Sequence, residues 1–179
     1  MRMYGPIPII DANLEISATE DEVRVKRSPF DECVTYVEGL LDQAIPNLPQ
    51  IITDKSTELG RITKPIALAI KAKLLLTAAS PLFNGNSDYS GFVDKDGVKL
   101  FNTTYDANKW KKAADAAKAA ITAAEAAGFK LYQFPGTTFK LSDTTLRQLT
   151  IKGAVTERFN VNLEHVWANP NSRTFDMQR

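Results

Sequence analysis

His165 and Cys33 are the only histidine and the only cysteine among 179 residues, and their isolation limits what this sequence can do as a catalyst. A general base needs a positioned partner and a nucleophile needs an adjacent base. Neither residue has a Cys or His neighbour at metal-ligand spacing, and there is no serine elbow motif. His165 therefore reads as a structural or exposed histidine. Cys33, off the apolar face of its segment by spacing, reads as a passive thiol. Carboxylates are abundant, yet glycoside hydrolysis needs two at a set separation, and no pair stands out. The run DKDG, Asp94 to Gly97, has the opening of a calcium loop, but the later ligand positions do not follow. A hairpin turn is the better reading. No glycine loop able to cradle phosphate occurs. The expectation is a protein without catalytic residues, metal or cofactor.

The totals exclude further classes. Lysine and arginine nearly balance aspartate and glutamate, leaving a formal net charge of +1, so neither nucleic acid nor an anionic membrane surface is asked for as a partner. A single cysteine cannot build an internal disulfide framework. The most apolar stretch, Ile66 to Leu76, is interrupted by Lys71 and Lys73 and falls short of the roughly 20 residues a bilayer span needs. The start, MRMYGPIPII, lacks the pattern of a signal peptide. The end, NPNSRTFDMQR, has neither a helix stop nor a strand closure. The expectation is a piece of a longer polypeptide.

Three organisational regions follow. Residues 1–27 read as an extended, Pro-rich lead-in, because Pro6 and Pro8 disfavour helix at the preceding residues. Residues 28–168 read as helical, with helices near 28–45, 64–79, 106–127 and 142–158. Ser28 and Pro29 suit the first helix start, with Phe30, Val34, Val37 and Leu41 on one face. Thr63 is a candidate cap for the second helix. That helix alternates alanines with large aliphatics and has few polar positions, so it should be buried on more than one side. In the third, Trp110 begins the apolar stripe and reads as a core anchor, and Gly128 is placed to close the end in a left-handed cap. Asp96-Gly97 predicts a small β-hairpin at about 89–101. Residues 164–168, EHVWA, read as a strand start, and 169–179 as the beginning of a loop region.

The stretch TAASPLFNG, residues 77–85, ends a helix at Pro81 and at once spends Leu82 and Phe83 on the turn. Proline cannot continue the helix, so the two apolar residues are expected to fold back over its last turn, with Gly85 releasing the chain. Small-residue helices joined by such corners suggest antiparallel helical hairpins of the tetratricopeptide kind, although no copy matches that repeat at fixed spacing. The fold class is mainly α.

The segment GRITKPIALAIKAKLLLTAASPLFNG closely resembles the hallmark segment of the SusD/RagB family of outer-membrane nutrient-binding lipoproteins. YGPIPII, SPFDECVTYVEGLLDQAIPNLP and DANKWKKAADAAKAAITAAEAAGFKLY resemble its neighbouring segments in the same order, over roughly residues 4–168. The resemblance implies a SusD-like α-α superhelix. It also implies a glycan-binding, or in some members peptide-binding, protein at a Bacteroidetes-type outer membrane, anchored by a lipid and capping a TonB-dependent transporter. Set against that family, a lipidated cysteine and the C-terminal part are expected to lie outside these 179 residues. For an oligosaccharide, aromatic faces and amide or guanidinium groups on loops are the expected contacts. Tyr89, Phe92, Trp167, Asn169, Asn171 and Arg173 are the groups of that kind. A tetratricopeptide-like adaptor and, further off, a glycan-active enzyme are the alternatives.

Overall fold

The structure, a computed structural model, describes residues 5–158 and 162–167. Five helices occur along them: α1 Glu20–Val23, α2 Phe30–Ala44, α3 Lys64–Ala79, α4 Ala107–Ala126 and α5 Asp143–Thr156. No strand forms among the described residues. The predicted hairpin is reduced to one antiparallel bridge, Val93 to Lys99, closed by Gly97 at positive φ. The chain is mainly helical. It divides into two compact units, Met1–Asn47 with Leu68–Lys118 and Leu48–Ala67 with Ala119–Arg179.

The first unit is built on aromatic residues. Phe30 at the start of α2 stacks on Phe83 with ring centroids 4.2 Å apart and planes within 10°. Phe101 joins both, at 5.8 and 6.1 Å. Val34, Leu75, Ala78, Ala79, Leu100 and Ala113 complete this core. Offset stacks of this kind add to what burial alone contributes. Gly5, at φ +66°, runs beneath the ring of Phe101, where a Cβ would lie 2.9 Å from Cζ. Only glycine lets the backbone pass so close.

Ion pairs fasten the helices around that core. Lys71 on α3 reaches Asp42 at 2.6 Å and Glu38 at 3.3 Å on α2. Burial works against its ammonium, but the hydrogen bonds to Asp42 and Glu38 outweigh it and hold the pKa above the ordinary lysine range. Lys109, in the first turn of α4, meets Asp31 at 2.6 Å. That pairing offsets a cation placed where the helix dipole disfavours one.

The corner after α3 divides its labour unequally. Phe83 is 6% exposed, whereas Leu82 stays 49% exposed and does not fold back. Asn84 is buried, and its amide serves the next helix. Its Oδ1 accepts from Asp106 N at 2.8 Å, and its Nδ2 donates to Asp106 O at 2.9 Å. Nδ2 also lies 3.4 Å from Ala79 O at the end of α3. Gly85 follows at φ +80°, and a Cβ there would lie 2.9 Å from Tyr105 Cβ and 3.0 Å from its Cα.

Other expectations are corrected. Ser28 does not cap α2: the cap position falls on Pro29, and the first helical N–H, that of Phe30, donates to Leu100 O at 2.9 Å. Cys33 is fully buried, with Sγ 3.4 Å from Ile7 O and 3.3 Å from Ser28 O. It anchors the lead-in. Trp110 is 40% exposed, and Ala113, one turn on, occupies the core in its place. On α3 exposure is confined to one face, Ala69, Lys73 and Leu76, which leaves the expectation of burial on more than one side standing. Within the lead-in, Thr19 donates from N and Oγ1 to Glu22 Oε2 and opens the single turn of α1.

Phe83→Ala should destabilise the chain by about 3–5 kcal/mol, whereas Leu82→Ala should cost about 1 kcal/mol or less. Urea midpoints of the two variants check this. Equal midpoints would remove the aromatic stack from its central place.

Candidate functional site

The second unit holds a cavity of about 220 Å³, and three pieces of backbone chemistry shape it. The first is the end of α4. Gly128 N donates to Glu125 O at 3.0 Å and Phe129 N to Ala124 O at 3.0 Å, with Gly128 at φ +88°. This is a Schellman cap, as the position of Gly128 predicts, and it delivers Phe129 to the cavity wall.

The second piece is the loop before α3, which supplies Ile51, Ile52 and Leu59. Asp54 organises it. Its carboxylate accepts from Ser56 N at 2.9 Å, from the Ser56 hydroxyl and from Thr57 Oγ1 at 2.6 Å. Those bonds, the one from the Ser56 hydroxyl foremost, lower its pKa to about 2. At the loop's end Lys64 N donates to Pro49 O at 2.9 Å. Pro65 has no N–H to offer a cap. The hydroxyl of Thr63, the expected cap, is accordingly left without a hydrogen-bond partner, although the residue is only 5% exposed.

The third piece is residues 162–167. Asn162 is 1% exposed. Its Oδ1 accepts from Glu164 N at 3.0 Å, and its Nδ2 donates to Ala154 O at 3.0 Å. His165 Nε2 lies 3.1 Å from the same carbonyl. Ala154 belongs to the last turn of α5, whose carbonyls have no partner within the helix. Nε2 also lies 3.4 Å from Asn162 Nδ2, which can only donate, so the ring nitrogen sits between a donor and an acceptor. Nδ1 is buried and has no partner. Trp167 Nε1 donates to Gly60 O at 3.3 Å, closing the segment onto the loop. The expected strand at 164–168 does not form across its described residues. Lys130 N and Tyr132 N bond here to Leu163 O and the Glu164 carboxylate, with no neighbouring strand to pair.

The residues singled out for ligand contact fall into different settings. Tyr89 stacks on Phe101 at 4.2 Å and Phe92 meets the same ring edge-on at 5.5 Å, both in the first unit. Phe92 keeps an exposed face. Trp167 is exposed and lines the cavity. Asn169, Asn171 and Arg173 lie outside the described residues. Thr63, Asn162 and Phe129 were missed as site residues. Thr63 reads as a helix cap in sequence, and only its pairing with Pro65 two residues on signals that the hydroxyl is free. Asp94 Oδ1 accepts from Asp96 N at 2.9 Å and Val98 N at 2.8 Å, and Asp96 pairs with Lys26. Those two carboxylates of the DKDG run are thus occupied by the turn and by an ion pair. Among the described residues no group of three or more His, Cys, Asp or Glu could hold a metal ion, and no helix is long and apolar enough to cross a membrane.

Comparison with known proteins places this geometry. No family model matches the chain, and no curated protein does. Among solved structures, BT4246, a Bacteroides thetaiotaomicron protein, is 33% identical with a TM-score of 0.80. The alignment covers 95% of this chain and 32% of that one. Its selenomethionine form aligns at 32% identity and TM-score 0.75, covering 95% of this chain and 31% of that one. The chain spans about a third of the length of BT4246.

Two outcomes test the second unit. A Cβ at Gly153 would lie 2.4 Å from Tyr132 Cε1, so Gly153→Ala must displace that ring and should cost about 1–3 kcal/mol, read from the thermal midpoint. The Asp54 turn obeys a definite pH rule. Because its folded pKa is depressed, its contribution is complete above the ordinary value of 3.8 and lost as pH falls through about 2. The amide shifts of Ser56 and Thr57 should titrate there, and in Asp54→Asn they should not.

Proposed function

We propose that this chain is part of the helical scaffold of an outer-membrane nutrient-binding protein of the SusD/RagB kind, working with a TonB-dependent transporter to take up oligosaccharides. The observation that carries the reading is the segment from Gly60 to Gly85, whose sequence resembles that family's hallmark. Its likeness in fold and sequence to a Bacteroides protein supports the same origin. The use the fold makes of the segment supports a scaffold role. Phe83 fills the core, Asn84 holds the next helix and Gly85 admits Tyr105. None of the three is left to meet a ligand.

In this reading the helices pair as tetratricopeptide-like hairpins and the parent protein is lipid-anchored on the outer face of the outer membrane. It binds its glycan without turning it over. Glycan contacts are assigned to loop groups: Tyr89 and Phe92, Trp167, and Asn169, Asn171 and Arg173. The exposed ring faces of Phe92 and Trp167 suit the C–H surface of a sugar.

The test uses the full-length parent protein, tagged and expressed in a Bacteroides-type host. It should fractionate with the outer membrane and co-purify with a β-barrel transporter. Labelled oligosaccharide should bind without being cleaved, and Trp167→Ala or Phe92→Ala should weaken that binding. Recovery in the cytoplasm with a peptide partner would favour the adaptor instead. Oligosaccharide turnover abolished by one carboxylate substitution would make it an enzyme.

A further inference from the structure

Asn84 and Gly85 form the one Asn-Gly pair in the 179 residues, and the packing of the corner calls for both. Asn84 is 4% exposed, with its Oδ1 accepting from Asp106 N at 2.8 Å and its Nδ2 donating to Asp106 O at 2.9 Å. Gly85 takes φ +80°, where a Cβ would lie 2.9 Å from Tyr105 Cβ. The same two choices create a chemical weakness. An asparagine side chain is short enough to reach the backbone next to it, and glycine has no side chain to shield its own nitrogen.

The reaction open to such a pair is deamidation. The Gly85 nitrogen attacks Asn84 Cγ, and the new N–Cγ bond closes a succinimide ring. The Cγ–Nδ2 bond breaks, and ammonia leaves with the proton that Gly85 N gives up. Water then opens the ring at either carbonyl and leaves aspartate or isoaspartate at position 84. In the folded chain the amide is pinned to Asp106, with Nδ2 also 3.4 Å from Ala79 O. Turning Cγ toward Gly85 N would break those bonds in a buried site that offers no replacement. Unfolding removes that restraint and admits water.

We propose that Asn84-Gly85 is a deamidation site that the fold keeps closed and unfolding opens, and that a converted chain cannot rebuild the corner. A carboxylate at position 84 has no N–H to give Asp106 O or Ala79 O, and it sets a buried charge against both carbonyls. Isoaspartate also adds a carbon to the main chain immediately before the glycine. Chemical change of the unfolded state is a general route to irreversible unfolding, and this corner supplies one. The inference rests on the corner alone and is independent of the uptake reading.

The test holds the chain at mildly alkaline pH with and without guanidinium chloride. Trypsin then releases the peptide Leu74–Lys95, and mass spectrometry follows the conversion of amide to acid. Fragment ions separate Asn84 from Asn86 in the same peptide. Because a stable fold leaves about one chain in a thousand or fewer unfolded, Asn84 should convert at least about tenfold faster in denaturant. Equal rates overturn protection by the fold, and conversion at Asn86 in place of Asn84 overturns the site. Once denaturant is removed, converted chains should fail to regain the near-ultraviolet circular dichroism that unconverted chains recover. Full recovery overturns the claim that the corner is lost. Asn84→Asp should lower the denaturation midpoint far more than Asn86→Asp, and equal midpoints count against the same claim. Should Asn84→Asp not fold, the two rates and the recovery of the unaltered chain still decide.

Discussion

The first unit depends on one buried amide. A helix end leaves carbonyls without partners and a helix start leaves N–H groups without them, and here the two lie on either side of a 27-residue excursion. Asn84 meets the start of α4 with a matched pair of hydrogen bonds to Asp106, at 2.8 and 2.9 Å, and faces Ala79 O at the end of α3. An amide carries a donor and an acceptor side by side in one plane, as this exchange needs. Its neighbours are constrained in turn. Phe83 must enter the core for Asn84 to be buried, and Gly85 must take positive φ for Tyr105 to come within contact.

The second unit repeats the device with Asn162, which ties its own turn to one carbonyl in the last turn of α5, that of Ala154. In both units a side-chain amide does the work that a strand pair would do elsewhere, and this fits a chain whose described residues contain no strand. The contrast lies in what is left over. Around Asn84 the pairing is complete. Around Asn162 it stops short of Thr63 Oγ1 and His165 Nδ1.

What could be read in advance follows from how much local chemistry decides. Gly128 is legible as a cap because positive φ and the preceding helix act over a few residues. Ser142 likewise accepts from Thr145 N at the start of α5. Ser28 and Thr63 look the same in sequence and do not cap, because distant groups intervene: Leu100 O accepts from Phe30 N at the start of α2, and Pro49 O accepts from Lys64 N at the start of α3. The face of α4 was misjudged at Trp110. In a helix made largely of alanine no large residue marks the buried side, so Ala113 can take the core while the indole faces water. Cys33 was placed off the apolar face by spacing along α2 alone. Its burial comes from the lead-in, whose Ile7 carbonyl sits over the sulfur. Of the candidate site, Trp167 was legible as an exposed aromatic, whereas the cavity beside it is assembled from three separated segments.

These facts separate two kinds of information in the chain. The segment Gly60 to Gly85 carries the resemblance to a family, yet its distinctive residues are consumed by packing: Phe83 in a ring stack, Asn84 in an amide exchange, Gly85 in a close approach. Residues fixed by such demands can specify a scaffold but have no freedom left with which to choose a ligand. Under the proposed uptake reading, choice has to come from groups the fold does not use, such as the exposed Phe92 and Trp167. A change of ligand between related chains would then leave the corner intact and appear in those positions. The residues that carry the resemblance are thus spent on packing.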